Sequence, residues 1–133
     1  MSSVIQLRDL QKSYFMAGQA IPVLKGINLD IISNEYVALM GPSGSGKSTL
    51  ANALMGHPLY SVEGTALLDS QDILKLETNE RSTKGLFLSF QYPAEIEGVT
   101  VKNFLRQAVN ARREKPIRIS EFKKIYVFPL EIE

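Results

Sequence analysis

The apolar residues of this chain change their period several times along its length, and each change marks an element. Val4, Ile5, Leu7 and Leu10 partly alternate with polar neighbours, which predicts a strand of edge type. Lys12 to Met16 follow it, then a turn near Ala17 to Ala20 marked by Gly18. Val23, Ile27, Leu29 and Ile31 outline a second extended run from Ile21 to Ile32, closed by a turn at Ser33 and Asn34. Two such runs joined by a short Gly-containing loop predict an antiparallel layer. Glu35 to Met40 is short, mostly apolar and rich in strand-forming residues, the pattern of a buried strand. From Lys47 to Met55 the spacing becomes helical, with Leu50 and Leu54 on one face, and Gly56 and Pro58 stop the helix.

The remainder is built from shorter pieces. A turn at Leu59 to Gly64, a strand at Thr65 to Leu68, a turn at Asp69 to Asp72 and a short apolar element at Ile73 to Leu76 are expected in that order. Thr78 to Lys84 predicts a short helix, with Thr78 as its N-cap and Gly85 as its stop. Leu86 to Phe90 predicts a buried strand, which Gln91, Tyr92 and Pro93 end. Thr100 caps a helix through about Arg113, on which Val101, Phe104, Leu105 and Ala108 form an apolar stripe before Pro116. Ser120 to Lys124 is a further short helix. Ile125 to Glu133 is apolar but broken by Pro129, at most an edge strand.

Between the buried strand and the first helix lies the chemistry. Gly41, Pro42, Ser43, Gly44, Ser45, Gly46, Lys47 and Ser48 satisfy G-x-x-x-x-G-K-[ST] at every specified position. The glycines let successive backbone N–H groups turn inward on an anion, and the following helix adds its unpaired first-turn N–H groups and the positive end of its dipole. Lys47 is placed to bridge β- and γ-phosphates, and the Ser48 hydroxyl to ligate Mg²⁺. A flexible Gly/Ser linker would share the composition but not the strand before it and the helix after it. Two further residues have two readings each. Tyr14 either stacks on a nucleobase or packs as an ordinary strand residue; Gln91 either faces a ligand from the end of a strand or is a solvent-facing loop amide.

Composition narrows the field. Fifteen basic against fourteen acidic residues leave a net charge of +1, with no sign of a nucleic-acid or membrane surface. The absence of cysteine excludes disulfides, thiolate metal sites and thiol catalysis. A single histidine, His57, excludes a His-pair metal site. No apolar run approaches the ~18–20 residues that cross a bilayer, and the N-terminus lacks the pattern of a signal peptide. A cytoplasmic location, with no direct membrane insertion, is the expectation.

The order of these pieces resembles the N-terminal part of an ATP-binding-cassette (ABC) ATPase: a strand ending at Tyr14, VLKGINLDI at 23–31, YVALMGPSGSGKSTL at 36–50, and a glutamine closing a later strand. The resemblance implies an α/β P-loop NTPase fold, with an antiparallel β layer packed on a RecA-like core that is incomplete here. It implies ATP and Mg²⁺ as ligands, Tyr14 stacked on adenine, Thr49 on the α-phosphate, and Gln91 as the Q-loop glutamine that senses Mg²⁺ and couples to a partner subunit. Residues 56–122 are similar more narrowly to the SufC family, the ATPases of iron–sulfur cluster assembly, most specifically in the run from Gln91 to Val99. The first fifty residues resemble the LolD/MacB exporter ATPases equally well.

The family's LSGGQ-type signature, its Walker B Asp-Glu and its switch histidine do not follow Gln91; no Asp occurs after Asp72 and no His after His57. The expectation is a truncated chain: a partial nucleotide-binding domain over 1–124 and a C-terminal tail of uncertain origin over 125–133. Binding of ATP is expected, with hydrolysis impaired. The partners implied are a second ABC subunit and SufB/SufD-like scaffold proteins, or the membrane subunits of a transporter. A non-catalytic nucleotide- or partner-binding fragment is the remaining alternative.

Overall fold

In a computed structural model, residues 3–89 and 96–127 are described, and they fall into two units, Met1–Leu88 and Ser89–Glu133. The first unit is built on a long hairpin. Strand β1 (Ser3–Met16) and strand β2 (Gln19–Ile32) pair antiparallel from Ser3↔Ile32 to Met16↔Gln19. Ala17 and Gly18 both take positive φ, 49° and 78°, the two-residue turn whose twist matches that of the strands it joins. β1 also pairs antiparallel with β3 (Glu63–Leu68), which pairs with the two-residue β4 (Gln71–Asp72), so the order is β2-β1-β3-β4. β1 is therefore an inner strand, not the edge strand its partial alternation predicts. Its pairing register shifts between Leu7 and Leu10 toward β2, and between Arg8 and Gln11 toward β3. Asp9, at φ 45°, sits at this irregularity, where its N–H donates to the Asn28 side-chain oxygen at 3.1 Å. The bulge is what disturbs the alternation in the sequence.

Helix α1 (Lys47–Met55) covers this sheet with Leu50 and Ala53, which join Leu7, Leu10, Leu24, Ala66, Leu68 and Ile73 in one buried cluster. Leu54, expected on the inner face, is only partly buried at the cluster's margin. The helix ends at Gly56, in the left-handed region at φ 79°. A 3₁₀ turn at Ile73–Lys75, capped by Asp72, leads to helix α2 (Thr78–Thr83). The N-cap of α2 is Glu77 rather than Thr78. Glu77 and Glu80 form a reciprocal capping box, and the Thr78 hydroxyl donates instead to the Gly56 carbonyl at 2.7 Å.

Two expected buried strands are not formed. Residues 35–40 and 86–89 carry no strand pairing, and Tyr36, Met40 and Phe87 are among the most exposed side chains. An apolar run becomes a buried strand only when other strands flank it, and among the described residues none pairs with either run.

The second unit holds helix α3 (Val101–Asn110), helix α4 (Ile119–Phe122) and a π-helical turn at Lys123–Val127. Thr100 caps α3 as expected, accepting from the Asn103 N–H at 3.3 Å, but the helix ends at Asn110, short of Arg113. Its stripe of Val101, Phe104 and Leu105 is exposed. Ile117 and Phe122 are buried. Residues 125–127 belong to the helical turn rather than to an edge strand, and 128–133 lie outside the described residues.

Arg81 ties α2 to α1. It is 6% exposed, and its guanidinium donates to the carbonyls of Ala53 (3.0 Å), Leu54 (2.9 Å) and Leu76 (2.9 Å). Two of these are last-turn carbonyls of α1, where a cation also meets the negative end of the helix dipole. Burial pulls the Arg81 pKa below its ordinary value, with Glu77 and Asp72 opposing the shift. Replacing Arg81 by Met should lower unfolding stability by about 3 kcal/mol. A urea-unfolding midpoint that did not move would show that these carbonyls are equally well satisfied by water. Arg81→Lys, which keeps charge but not the fork, should recover only part of the loss.

Candidate functional site

The phosphate-loop motif forms an open turn leading into α1. Gly44 and Gly46 have φ of 83° and 90°, backbone that a side chain disfavours, and Gly46 is itself the N-cap of α1. A Cβ on Gly46 would also press to 3.3 Å from Val23 Cγ1, so the glycine lets the loop lie against β2. No side chain caps α1 and its first turn holds no acidic residue. That end of the helix is thus left with donors and positive potential directed into the loop.

Lys47 reaches back over the loop. Its Nζ donates to the carbonyls of Gly41 (2.6 Å) and Pro42 (2.9 Å) and to Ser45 Oγ (3.0 Å). The ammonium therefore sits within the turn, and all three of its protons are given to oxygens of the loop itself. Gly41 carries the closest approach: a Cβ there would fall 2.7 Å from Ser45 Oγ. Ser43 and Ser48 are exposed, and the Ser48 carbonyl accepts from Asn52 within the helix at 2.9 Å. An exposed hydroxyl at the head of α1, beside a lysine ammonium and uncapped N–H groups, fits a Mg²⁺–phosphate pair.

Tyr14 is brought to this loop by the far end of β1. Its hydroxyl lies 3.4 Å from Thr49 Oγ1 and shares a 2.6 Å hydrogen bond with the hydroxyl of Tyr60. The two rings meet edge to face, with centroids 5.7 Å apart. Lys12, 6% exposed, places its Nζ 4.5 Å from the centroid of Tyr14 and 5.2 Å from that of Tyr60, while donating to the Ser13 carbonyl at 2.5 Å. His57 packs on the other aromatic, 4.7 Å from Tyr60. Tyr14, Thr49 and the loop from Gly41 to Ser48 are thus assembled in one unit. Gln91 lies outside the described residues.

Tyr60, Lys12 and Arg81 were not singled out by sequence reasoning. Tyr60 reads there as part of a turn, and Lys12 as a polar position in a strand. The pairing of a lysine and a tyrosine two residues apart on β1 is the one local signal, because residues i and i+2 share a face of a strand. Beside Tyr60 and α2 lies a cavity of about 320 Å³, lined among others by His57, Val62, Leu76 and Arg81. Among the described residues no cluster of three or more His, Cys, Asp or Glu is placed to hold a metal ion, and no helix is long and apolar enough to cross a membrane.

A Gly-rich loop that opens into an uncapped helix, with its lysine turned into the loop and an antiparallel layer alongside, defines a P-loop nucleotide-binding protein. The family model for ABC transporters matches residues 24–127, and the chain belongs to that family. It is 55% identical over 125 residues to vegetative protein 296 of Bacillus subtilis (strain 168), covering 93% of this chain and 46% of that protein. It is 46% identical over 132 residues to the probable ATP-dependent transporter ycf16 of Pyropia yezoensis, covering 98% of this chain and 51% of that one. Among solved structures, a dimeric ATP-binding cassette in a post-hydrolysis state, bound to ADP and Pi, superposes with a TM-score of 0.72 at 27% identity. That match covers 90% of this chain and 53% of the other. The chain spans about half the length of the relatives it matches.

The two tyrosine hydroxyls respond oppositely to their shared bond. Its hydrogen bonds with Thr49 and then with Tyr60, to which it donates, and the Lys12 charge draw the Tyr14 pKa below the ordinary tyrosine value against the effect of burial. The bond to Tyr14, and burial, hold that of Tyr60 above it. Tyr14 therefore loses its proton first as pH rises, with Tyr60 turning to donate. In an alkaline titration followed by tyrosinate absorbance, Tyr60→Phe should remove the late-ionising group and move the early one upward. An early phase left in place would show that Tyr60 does not support the Tyr14 oxygen.

Proposed function

We propose that this chain binds ATP with Mg²⁺ at the loop from Gly41 to Thr49, as the nucleotide-binding portion of an ABC-type ATPase. The observation that carries the proposal is the Lys47 ammonium held inside a loop that faces the uncapped N-terminus of α1. A triphosphate entering the loop takes the place of its carbonyls as acceptor of the Lys47 protons and gains the first-turn N–H groups. Thr49 would then meet the α-phosphate, and Tyr14, beside it, the adenine. When bound, Mg²⁺ on Ser48 and Gln91 would neutralise charge on the β- and γ-phosphates during phosphoryl transfer to water. The bound ADP and Pi of the similar cassette support this ligand class.

Hydrolysis in the family also draws on a signature motif, a Walker B carboxylate pair and a switch histidine, which this sequence does not contain. Binding is the activity we assign to residues 1–124, with a second ABC subunit as the natural partner. Two settings have support. The residues from Gln91 to Val99 favour a SufC-like subunit acting with SufB/SufD-like scaffold proteins in iron–sulfur cluster assembly. The name of the Pyropia relative favours a transporter subunit. Co-purification from a cytoplasmic fraction with soluble scaffold proteins, or from membranes with integral subunits, decides between them.

Lys47→Ala should weaken ATP binding about ten- to a hundredfold, the scale of losing charge-assisted hydrogen bonds. Calorimetry on the full chain measures this directly, with circular dichroism to show an unchanged fold. An unaltered affinity in that variant would sink the assignment.

A further inference from the structure

We propose that Lys12 and Tyr60 are positioning residues for Tyr14, holding its ring as the platform for a purine base. The proposal rests on the reading of Tyr14 as the base contact. Three observations carry it. The Tyr14 hydroxyl is fixed by Tyr60 at 2.6 Å, which removes rotation and tilt from the far end of the ring. Tyr60 meets Tyr14 edge to face, so one ring cannot swing without displacing the other. Lys12, nearly buried, lies over the Tyr14 ring at 4.5 Å from its centroid, with no carboxylate within ion-pair distance among the described residues.

A buried ammonium without a counter-ion is costly unless something replaces water around it. Here the Ser13 carbonyl and two aromatic rings do so. The cation draws π density toward one side of Tyr14, which leaves the opposite side better suited to an electron-rich purine. Position and electronics thus come from the same two neighbours. Among the described residues neither side chain hydrogen-bonds to the phosphate loop's glycines or to Lys47, so their effect reaches the ligand through Tyr14.

The test is calorimetric binding of ATP and of inorganic tripolyphosphate, each with Mg²⁺, to the full chain. Tripolyphosphate reports the phosphate loop without a base. Tyr14→Ala should weaken ATP about fivefold or more and leave tripolyphosphate unchanged. Tyr60→Phe and Lys12→Met should each weaken ATP about threefold, again without effect on tripolyphosphate. Lys12→Arg, which keeps a cation over the ring, should restore ATP affinity. Tyr60→Phe added to Tyr14→Ala should bring no further loss, because the platform it positions is gone. Loss with Tyr14→Ala but none with Tyr60→Phe and Lys12→Met overturns the positioning roles while the base platform stands. No loss with Tyr14→Ala overturns both. Equal loss of ATP and tripolyphosphate in the Tyr60 and Lys12 variants also overturns the proposal, since a loosened fold would reach the phosphate loop as well.

Discussion

The two ends of α1 are treated in opposite ways, and the site depends on that asymmetry. At the C-terminal end the Arg81 guanidinium takes the carbonyls of Ala53 and Leu54, and Gly56 closes the turn with its carbonyl bonded to Thr78. At the N-terminal end no side chain supplies a cap. A helix of nine residues is marginal by itself, so its place must come from packing and from its anchored end. Leu50 and Ala53 set its face against the sheet, and Arg81 fixes its far end. The open end is then held still with no side chain capping it, which is the condition for a rigid anion site.

Lys47 belongs to the same logic. In a loop of glycines and serines, carbonyls of Gly41 and Pro42 converge on one side, and their mutual repulsion would spread the turn. The ammonium between them holds the loop together and keeps a positive charge where a phosphate would lie. Its own hydrogen bonds compete with an incoming anion, so some interaction is lost on binding. The gain is that the loop need not be ordered by the ligand, which removes part of the entropy cost of binding.

Elements with local causes could be read from the residues. The hairpin turn at Ala17 and Gly18, the helix between Gly46 and Gly56 and the Thr100 cap each follow from residues within a few positions of one another. The two buried strands could not, because Tyr36 to Met40 and Leu86 to Ser89 share the composition of central strands but have no neighbours among the described residues. Burial is a property of what lies beside a segment, and the run's own pattern is silent on that. The site divides in the same way. Its loop is a contiguous motif, so its place at the head of α1 could be read from the residues themselves. Its aromatic half joins Tyr14 to Thr49 and Tyr60, 35 and 46 residues away, and Arg81 acts across 27 and 28 residues. No spacing rule connects such positions; only the folded sheet does. β1 likewise reads as an edge strand because a bulge at Asp9 breaks the alternation that an inner strand would otherwise show.

The long reach of β1 has a consequence for how the two halves work together. Tyr14 touches α1 on both sides of its span, through Thr49 in the first turn and through Tyr60 in the chain leaving its last turn. Tyr60 is in turn set by the exit from the helix, where its N–H donates to the His57 carbonyl and the two rings pack together. The aromatic cluster and the phosphate loop are therefore located by one rigid body, the helix, rather than by two loops that can drift apart. For a nucleotide, whose base and phosphates are joined by a ribose of fixed reach, that shared reference matters. On the proposed reading, a base platform referenced to the same helix as the phosphate loop would keep the two ends of the ligand site at a constant spacing.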